Sequence, residues 1–195
     1  MKNTVAAALL LAASIRAATL DVLRLPGPAF ADREVSAEAA LPDNRPQDLR
    51  VFRLEMTFNA TPSNNVQVAL GRDASPADGR LDASETDLIV GWDCGEWFLR
   101  PRGLRERFAC PAAAGDGDRT LTLSVRVSAQ GVCQPPVFKD GGAEFSFPDL
   151  TLSPFPVWLT PGLWTLLRVT ARGADAANES VRAVFAADGA RIILK

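Results

Sequence analysis

The segment Arg119–Ala129, RTLTLSVRVSA, carries an aliphatic residue at every second position from Leu121 to Ala129. Thr120, Thr122, Ser124, Arg126 and Ser128 fill the places between. Side chains alternate across an extended chain, so this run predicts a strand with one apolar and one wet face. Its register is firmly set, because a slip of one residue would bury Arg126 and expose the leucines. Such a strand needs a second apolar layer to cover it.

The same alternation recurs. In Leu49–Phe58, Phe52, Leu54, Met56 and Phe58 share a face, and in Val66–Leu70 so do Val66, Val68 and Leu70. With the Asn59–Asn65 turn between them, these two predict an antiparallel hairpin with a long loop. Leu88–Leu99 is interrupted by Gly91 and Gly95 and predicts two short strands or one bent strand. Thr19–Leu25, Arg105–Cys110, Glu144–Phe147 and Leu163–Ala171 are further strand candidates. In the last of these, Leu163, Thr165, Leu167, Val169 and Ala171 form one face, which puts Trp164 on the other. Asp188-Gly189, between Ser180–Ala187 and Ala190–Leu194, signals a terminal hairpin. Phe30–Leu41 contains Ala31, Glu34, Ala37, Glu38 and Ala39, which favour a short helix. About eight to ten strands and no long helix predict an all-β chain: an antiparallel β-sandwich, jelly-roll-like or immunoglobulin-like, with a partly open barrel as the alternative.

The first residues, MKNTVAAALLLAASIRAA, have the layout of a secretory signal: Lys2, an apolar run over Val5–Ile15, and small residues at Ala17 and Ala18. That run is too short to span a membrane as a helix. The expected division is a signal over 1–17, an N-terminal strand and linker over 18–47, and the sandwich over 48–195. Secretion or cell-surface display follows. The three cysteines are then expected to form one bridge, Cys94–Cys110, with Cys110–Cys133 and Cys94–Cys133 as alternatives.

A formal charge of -2 gives no reason to expect a nucleic-acid partner. The arginine group Arg100, Arg102, Arg105 and Arg107 reads as a surface loop. The chain has no histidine, which removes Ser-His-Asp and Cys-His nucleophiles and histidine-bearing zinc sites.

Two stretches carry candidate chemistry. In Gly71–Asp87, Asp78-Gly79 is followed by Leu81, Asp82 and Glu85 at the spacing of a calcium loop's second half. This half resembles an EF-hand or dockerin-type loop. The first half departs from it, because Ala74 and Pro76 stand where acids are needed and Asp73 is one residue early. The resemblance implies a structural Ca²⁺ held by Asp73, Asp78, Asp82 and Glu85, with a backbone carbonyl near Arg80. The second stretch, VGWDCGEWF, sets Asp93 and Glu96 between Trp92 and Trp97. Paired acids among tryptophans invite a glycosidase reading, with Glu144 or Asp149 as the second carboxylate. Ordinary pairing of the acids to a loop arginine is the simpler account.

Trp92, Trp97, Trp158 and Trp164 are the candidate sugar-stacking platform, with Trp164 expected to be the exposed member; core filling is the alternative. Together these features predict a secreted or surface β-sandwich that assembles with a protein partner, including further copies of itself, and does not catalyse. The alternatives are a carbohydrate-binding module with a glycan partner, and a glycoside hydrolase-like enzyme using Asp93 and Glu96.

Overall fold

The computed structural model describes residues 17–24, 34–42, 49–74, 77–102, 107–111, 117–126, 136–147, 161–173 and 180–187. Twelve strands make two antiparallel sheets. The first sheet contains β1 (Ala17–Arg24), β12 (Ser180–Ala187), β3 (Leu49–Ala60), β8 (Gly117–Arg126), β9 (Val137–Asp140) and β10 (Ala143–Phe145), in that spatial order. The second runs β2 (Glu34–Ala40), β11 (Leu166–Arg172), β4 (Asn65–Gly71), β5 (Thr86–Asp93), β6 (Glu96–Pro101) and β7 (Phe108–Pro111). The result is a jelly-roll-like β-sandwich.

The core lies where the alternations meet. Phe52, Leu54, Met56 and Phe58 from β3 and Leu121, Leu123 and Val125 from β8 are buried against Val66, Val68 and Leu70 of β4. Phe52 meets the Trp164 ring edge to face, with centroids 4.9 Å apart. Phe58 packs on both Trp92 and Trp97. The parity of β8 also sends Arg119 inward, as that of β9 does Asp140. The two pair at the end of the core, Trp97 Nε1 donates to Asp140 at 3.0 Å, and the guanidinium of Arg119 lies over Trp92. The two charges at this end of the core are thus paired with each other.

Several expectations need correction. β3 and β4 do not form a hairpin: they belong to opposite sheets. Both bring an apolar face to one core, and packing face to face buries both faces, which pairing side by side cannot do. Asn64 directs the crossing between them. It is fully buried, donates to Asn59 O at 2.6 Å and accepts from Thr61 N at 3.0 Å. The expected helix is instead β2, whose seven residues pair with β11. Val35 and Ala37 pack on the core, and this tertiary gain overrides local helix preference. β1 and β2 stand at the ends of the two sheets among the described residues. Leu88–Leu99 does split in two, as one of its readings required. β5 and β6 are joined by Cys94-Gly95, with φ of 52° and 100°, the double left-handed turn that matches strand twist. Gly91 in β5 allows a close approach: a Cβ there would lie 2.2 Å from Val66 O.

Both flanks of β12 are occupied, by β1 and β3. The expected partner Ala190–Leu194 lies outside the described residues, as do 1–16, Trp158, Cys133 and Asp149.

Candidate functional site

Three of the four candidate tryptophans do not stand at the surface. Trp92, Trp97 and Trp164 are 3%, 1% and 0% exposed and fill the core. Strand alternation extended back to Leu163 puts Trp164 outward, and the structure departs from it. The chain from Pro161 to Leu163 is a 3-10 turn, β11 begins only at Leu166, and the turn resets which way the side chains point. Leu163 is 54% exposed in consequence, and Trp164 goes inward.

Asp93 and Glu96 face each other across the β5–β6 turn, and Arg107 bonds both. Burial pushes the Asp93 carboxyl up, but hydrogen bonds from Arg107, Asn65 and Cys94 outweigh it and hold the group below the usual carboxylate range. A glycosidase acid needs the opposite shift. Glu144 is exposed on β10, in the other sheet. The loop arginine is thus the partner of these acids, and the arrangement is not that of a hydrolytic centre. Cys94 and Cys110 are not joined to each other: Cys94 is exposed in the turn, and Cys110 is half-buried on β7 opposite Trp97. Burial raises both thiols above their ordinary value, with Asp93 acting on Cys94 and Glu96 on Cys110 in the same direction.

The acidic connection between β4 and β5 is densely hydrogen-bonded. Gly71 and Thr86 bring its ends together, with Arg72 N donating to Glu85 O at 3.1 Å. A Cβ on Gly71 would stand 2.1 Å from that same oxygen. Inside the loop, carboxylates receive backbone N–H groups. Asp73 takes Asp78 N at 3.3 Å and Gly79 N at 2.9 Å. Asp78 takes Arg80 N at 2.9 Å. Glu85 takes Ala74 N at 2.9 Å and Asp82 N at 3.2 Å. Asp82 accepts from the hydroxyl and amide of Ser84 and the amide of Glu85, and these bonds, the hydroxyl's first, lower its carboxyl below the ordinary value.

Leu81 anchors the loop. It is 1% exposed and packs on Ala69, Ile89, Phe98 and Leu166, which face outward from the second sheet. Leu81 N donates to Glu38 at 3.0 Å, and Arg168 donates to Leu81 O while pairing with Glu38. At the near end, Asp73 N donates to Thr165 Oγ1 at 2.9 Å. An open depression of about 1040 Å³ results, lined by Asp73, Asp78, Asp82 and Glu85 together with Arg72, Arg80 and Arg102. The four predicted acids are thus brought to one place. Their oxygen-only chemistry suits Ca²⁺. In this arrangement, however, each is turned onto loop amides, and among the described residues no three His, Cys, Asp or Glu side chains gather as a metal group.

The arginines of the lining were not legible as site residues. Arg102 was one of a surface group, and nothing local in the sequence marks its partner. That partner is Asp87, which accepts Arg102 Nη1 at 3.1 Å on one oxygen and Trp164 Nε1 at 3.0 Å on the other. The main chains are joined too, by Arg102 N to Asp87 O at 2.8 Å.

No protein-family model matches this chain, and no curated protein matches it in sequence. Solved structures do share its architecture. The metal-free carbohydrate recognition domain of Emp46p superposes with a TM-score of 0.51 at 12% identity, covering 90% of this chain and 89% of that one. The winged bean acidic lectin complexed with methyl-alpha-D-galactose gives 0.46 at 10% identity, covering 89% and 94%. The Ca²⁺-bound exoplasmic/lumenal domain of VIP36 gives 0.46 at 12% identity, covering 90% and 85%. At these identities the likeness is one of fold: this chain shares a two-sheet β-sandwich architecture with the Emp46p domain.

Proposed function

We propose that the protein is a non-catalytic carbohydrate-binding β-sandwich that holds a glycan in the depression beside the Asp73–Glu85 loop. One observation carries the reading: carboxylate acceptors and guanidinium donors intermingle around one open hollow beside the second sheet. Sugar hydroxyls both donate and accept, and such a lining meets both needs. The architecture of a carbohydrate recognition domain is consistent with it. Secretion or surface display fits the same role.

A glycan array followed by calorimetry tests the reading. Asp78→Ala, at an exposed position, is expected to weaken the best glycan about tenfold, the worth of one charge-assisted hydrogen bond, with only a small fall in melting temperature from the lost Arg80 N bond. An array on which nothing binds would sink the proposal.

A structural Ca²⁺ on Asp73, Asp78, Asp82 and Glu85 belongs to the same reading; it would neutralise crowded acids. Calcium should then raise the melting temperature of the wild type but not of Asp82→Ala. A melting temperature indifferent to calcium leaves the loop to its amide bonds alone.

Assembly with a protein partner is the second reading. It draws on β1 and β2, which stand at the ends of their sheets in the described residues, the place from which strand addition proceeds. A concentration-independent monomer in light scattering would remove self-association.

A further inference from the structure

We propose that Asp87 is a positioning residue that determines what the depression selects. With Trp164, it fixes Arg102 at the rim as a charge-compensated hydrogen-bond fork, suited to the uncharged hydroxyls of a neutral glycan. The inference rests on the reading of the depression as the binding site.

The geometry runs from the core outward. Trp164 is fully buried and wedged against Phe52. Its indole N–H holds one oxygen of Asp87, a carboxylate whose side chain is only 14% exposed. The other oxygen holds Arg102, which is 59% exposed and lines the hollow. A long side chain on a surface ordinarily samples many rotamers, and ordering it on binding costs free energy. Here the guanidinium is held in advance at one corner, leaving its remaining N–H groups to donate. Asp87 also offsets the charge of Arg102, and the rest of the lining mixes four acids with Arg72 and Arg80. Nothing there favours an anion. A neutral ligand that takes hydrogen bonds without bringing charge fits best. Trp164 thus serves the site from behind, by a polar bond, rather than by stacking on a sugar.

Arginine labelling with phenylglyoxal on the intact protein, read by peptide mass spectrometry, tests the positioning without any glycan. Arg72 is the internal control: it lines the same hollow but forms no ion pair with a described residue. In the wild type Arg102 should label more slowly than Arg72. Asp87→Asn should speed Arg102 roughly two- to fivefold, the scale of an exposed ion pair, and leave Arg72 unchanged. Trp164→Phe, which keeps a ring but removes the donor, should give a smaller rise at Arg102 alone. Equal rates in the wild type, no response to Asp87→Asn, or a parallel rise at both arginines would each overturn the positioning role. On an array carrying neutral, uronate and sulfated glycans, the wild type should prefer neutral ones, and Asp87→Asn should shift preference toward acidic ones. A wild type that prefers acidic glycans overturns the selectivity. An array with no binding defeats the reading of the depression and leaves the labelling result standing.

Discussion

The first sheet turns Thr57, Thr120, Thr122 and Ser124 outward, whereas the second turns Ala69, Ile89, Phe98 and Leu166 outward and then covers them with Leu81. The outward Thr and Ser are half-buried, and neighbours such as Thr57 and Thr120 bond one another across β3 and β8 at 3.2 Å. That face needs nothing laid over it. On the second sheet an apolar patch in the equivalent place would be exposed without the acidic loop. The difference marks where the second sheet departs from a plain sandwich. One leucine seats the charged loop on the sheet, and the cover the loop provides builds the depression on that side. A small second core under a surface loop is a common way to fix such a segment.

The largest expected effect is at that leucine. Leu81→Ala should destabilise by about 2 kcal/mol, the low end for a buried leucine, because the patch is small and can partly collapse. Urea unfolding gives the number. Hydrogen exchange over 77–85 should show that the loop amides lose protection first, with β8 unaffected. A cost near zero would mean that the loop is held by Glu38, Arg168 and its own hydrogen bonds, and the contrast between the two faces would then be one of appearance only.

How much of this could be read beforehand differs between the same two regions. In the first sheet β3 and β8 follow a strict period of two, and Phe52 to Phe58 and Leu121 to Val125 are buried as their alternation requires. Regular alternation is legible because each residue's direction depends only on its neighbours. The site is different. Leu81 stood out as the apolar position of the loop, but its seat comes from β4, β5, β6 and β11 together. The pairing of β3 with β4 failed because alternation fixes which face is apolar, not which strand lies alongside. Trp164 failed because three residues of 3-10 turn break the count. The acids were found by type and spacing, while Arg102 depends on Asp87, fifteen residues away and across a strand pair. Spacing can nominate donors; it cannot show that backbone amides already occupy them.

Acid should separate the two regions less strongly. The Asp82 carboxyl is held below its ordinary value of 3.8 by Ser84 and Glu85. A carboxylate with a lowered folded pKa contributes stability that is complete above the unfolded value and is lost as pH falls through the folded one. Asp93, lowered by Arg107, Asn65 and Cys94 against the effect of burial, adds to the same trend on the second sheet. Amide exchange at Ser84 and Glu85, corrected for intrinsic rates, should therefore quicken below about pH 4, while amides of Leu121 and Leu123 keep their protection. Asp82→Asn should remove most of the pH dependence at Ser84 and Glu85. Loss of protection in both sheets at the same pH would show that the loop opens only with the whole fold.

The smallest effect belongs to the wet face. Thr122 lies between Glu55 and Lys139 in the cross-strand row and carries a half-buried hydroxyl with no apolar seat. Thr122→Ala should change stability by about 0.5 kcal/mol or less, since surface positions away from caps and clusters rarely exceed that, although the loss of a β-branched residue pushes it slightly toward destabilisation. The comparison with Leu81→Ala is the informative quantity. Both substitutions remove side-chain atoms from the outer face of a sheet, and the two sheets share one core. If the outer faces were equivalent, the two costs would converge. A Thr122→Ala cost equal to that of Leu81→Ala would mean that the first sheet's face is also covered by something, and would move the search for a partner surface there. A clear gap, with Leu81 the costlier, locates the specialised surface on the second sheet, where the loop, Asp87 and Arg102 meet.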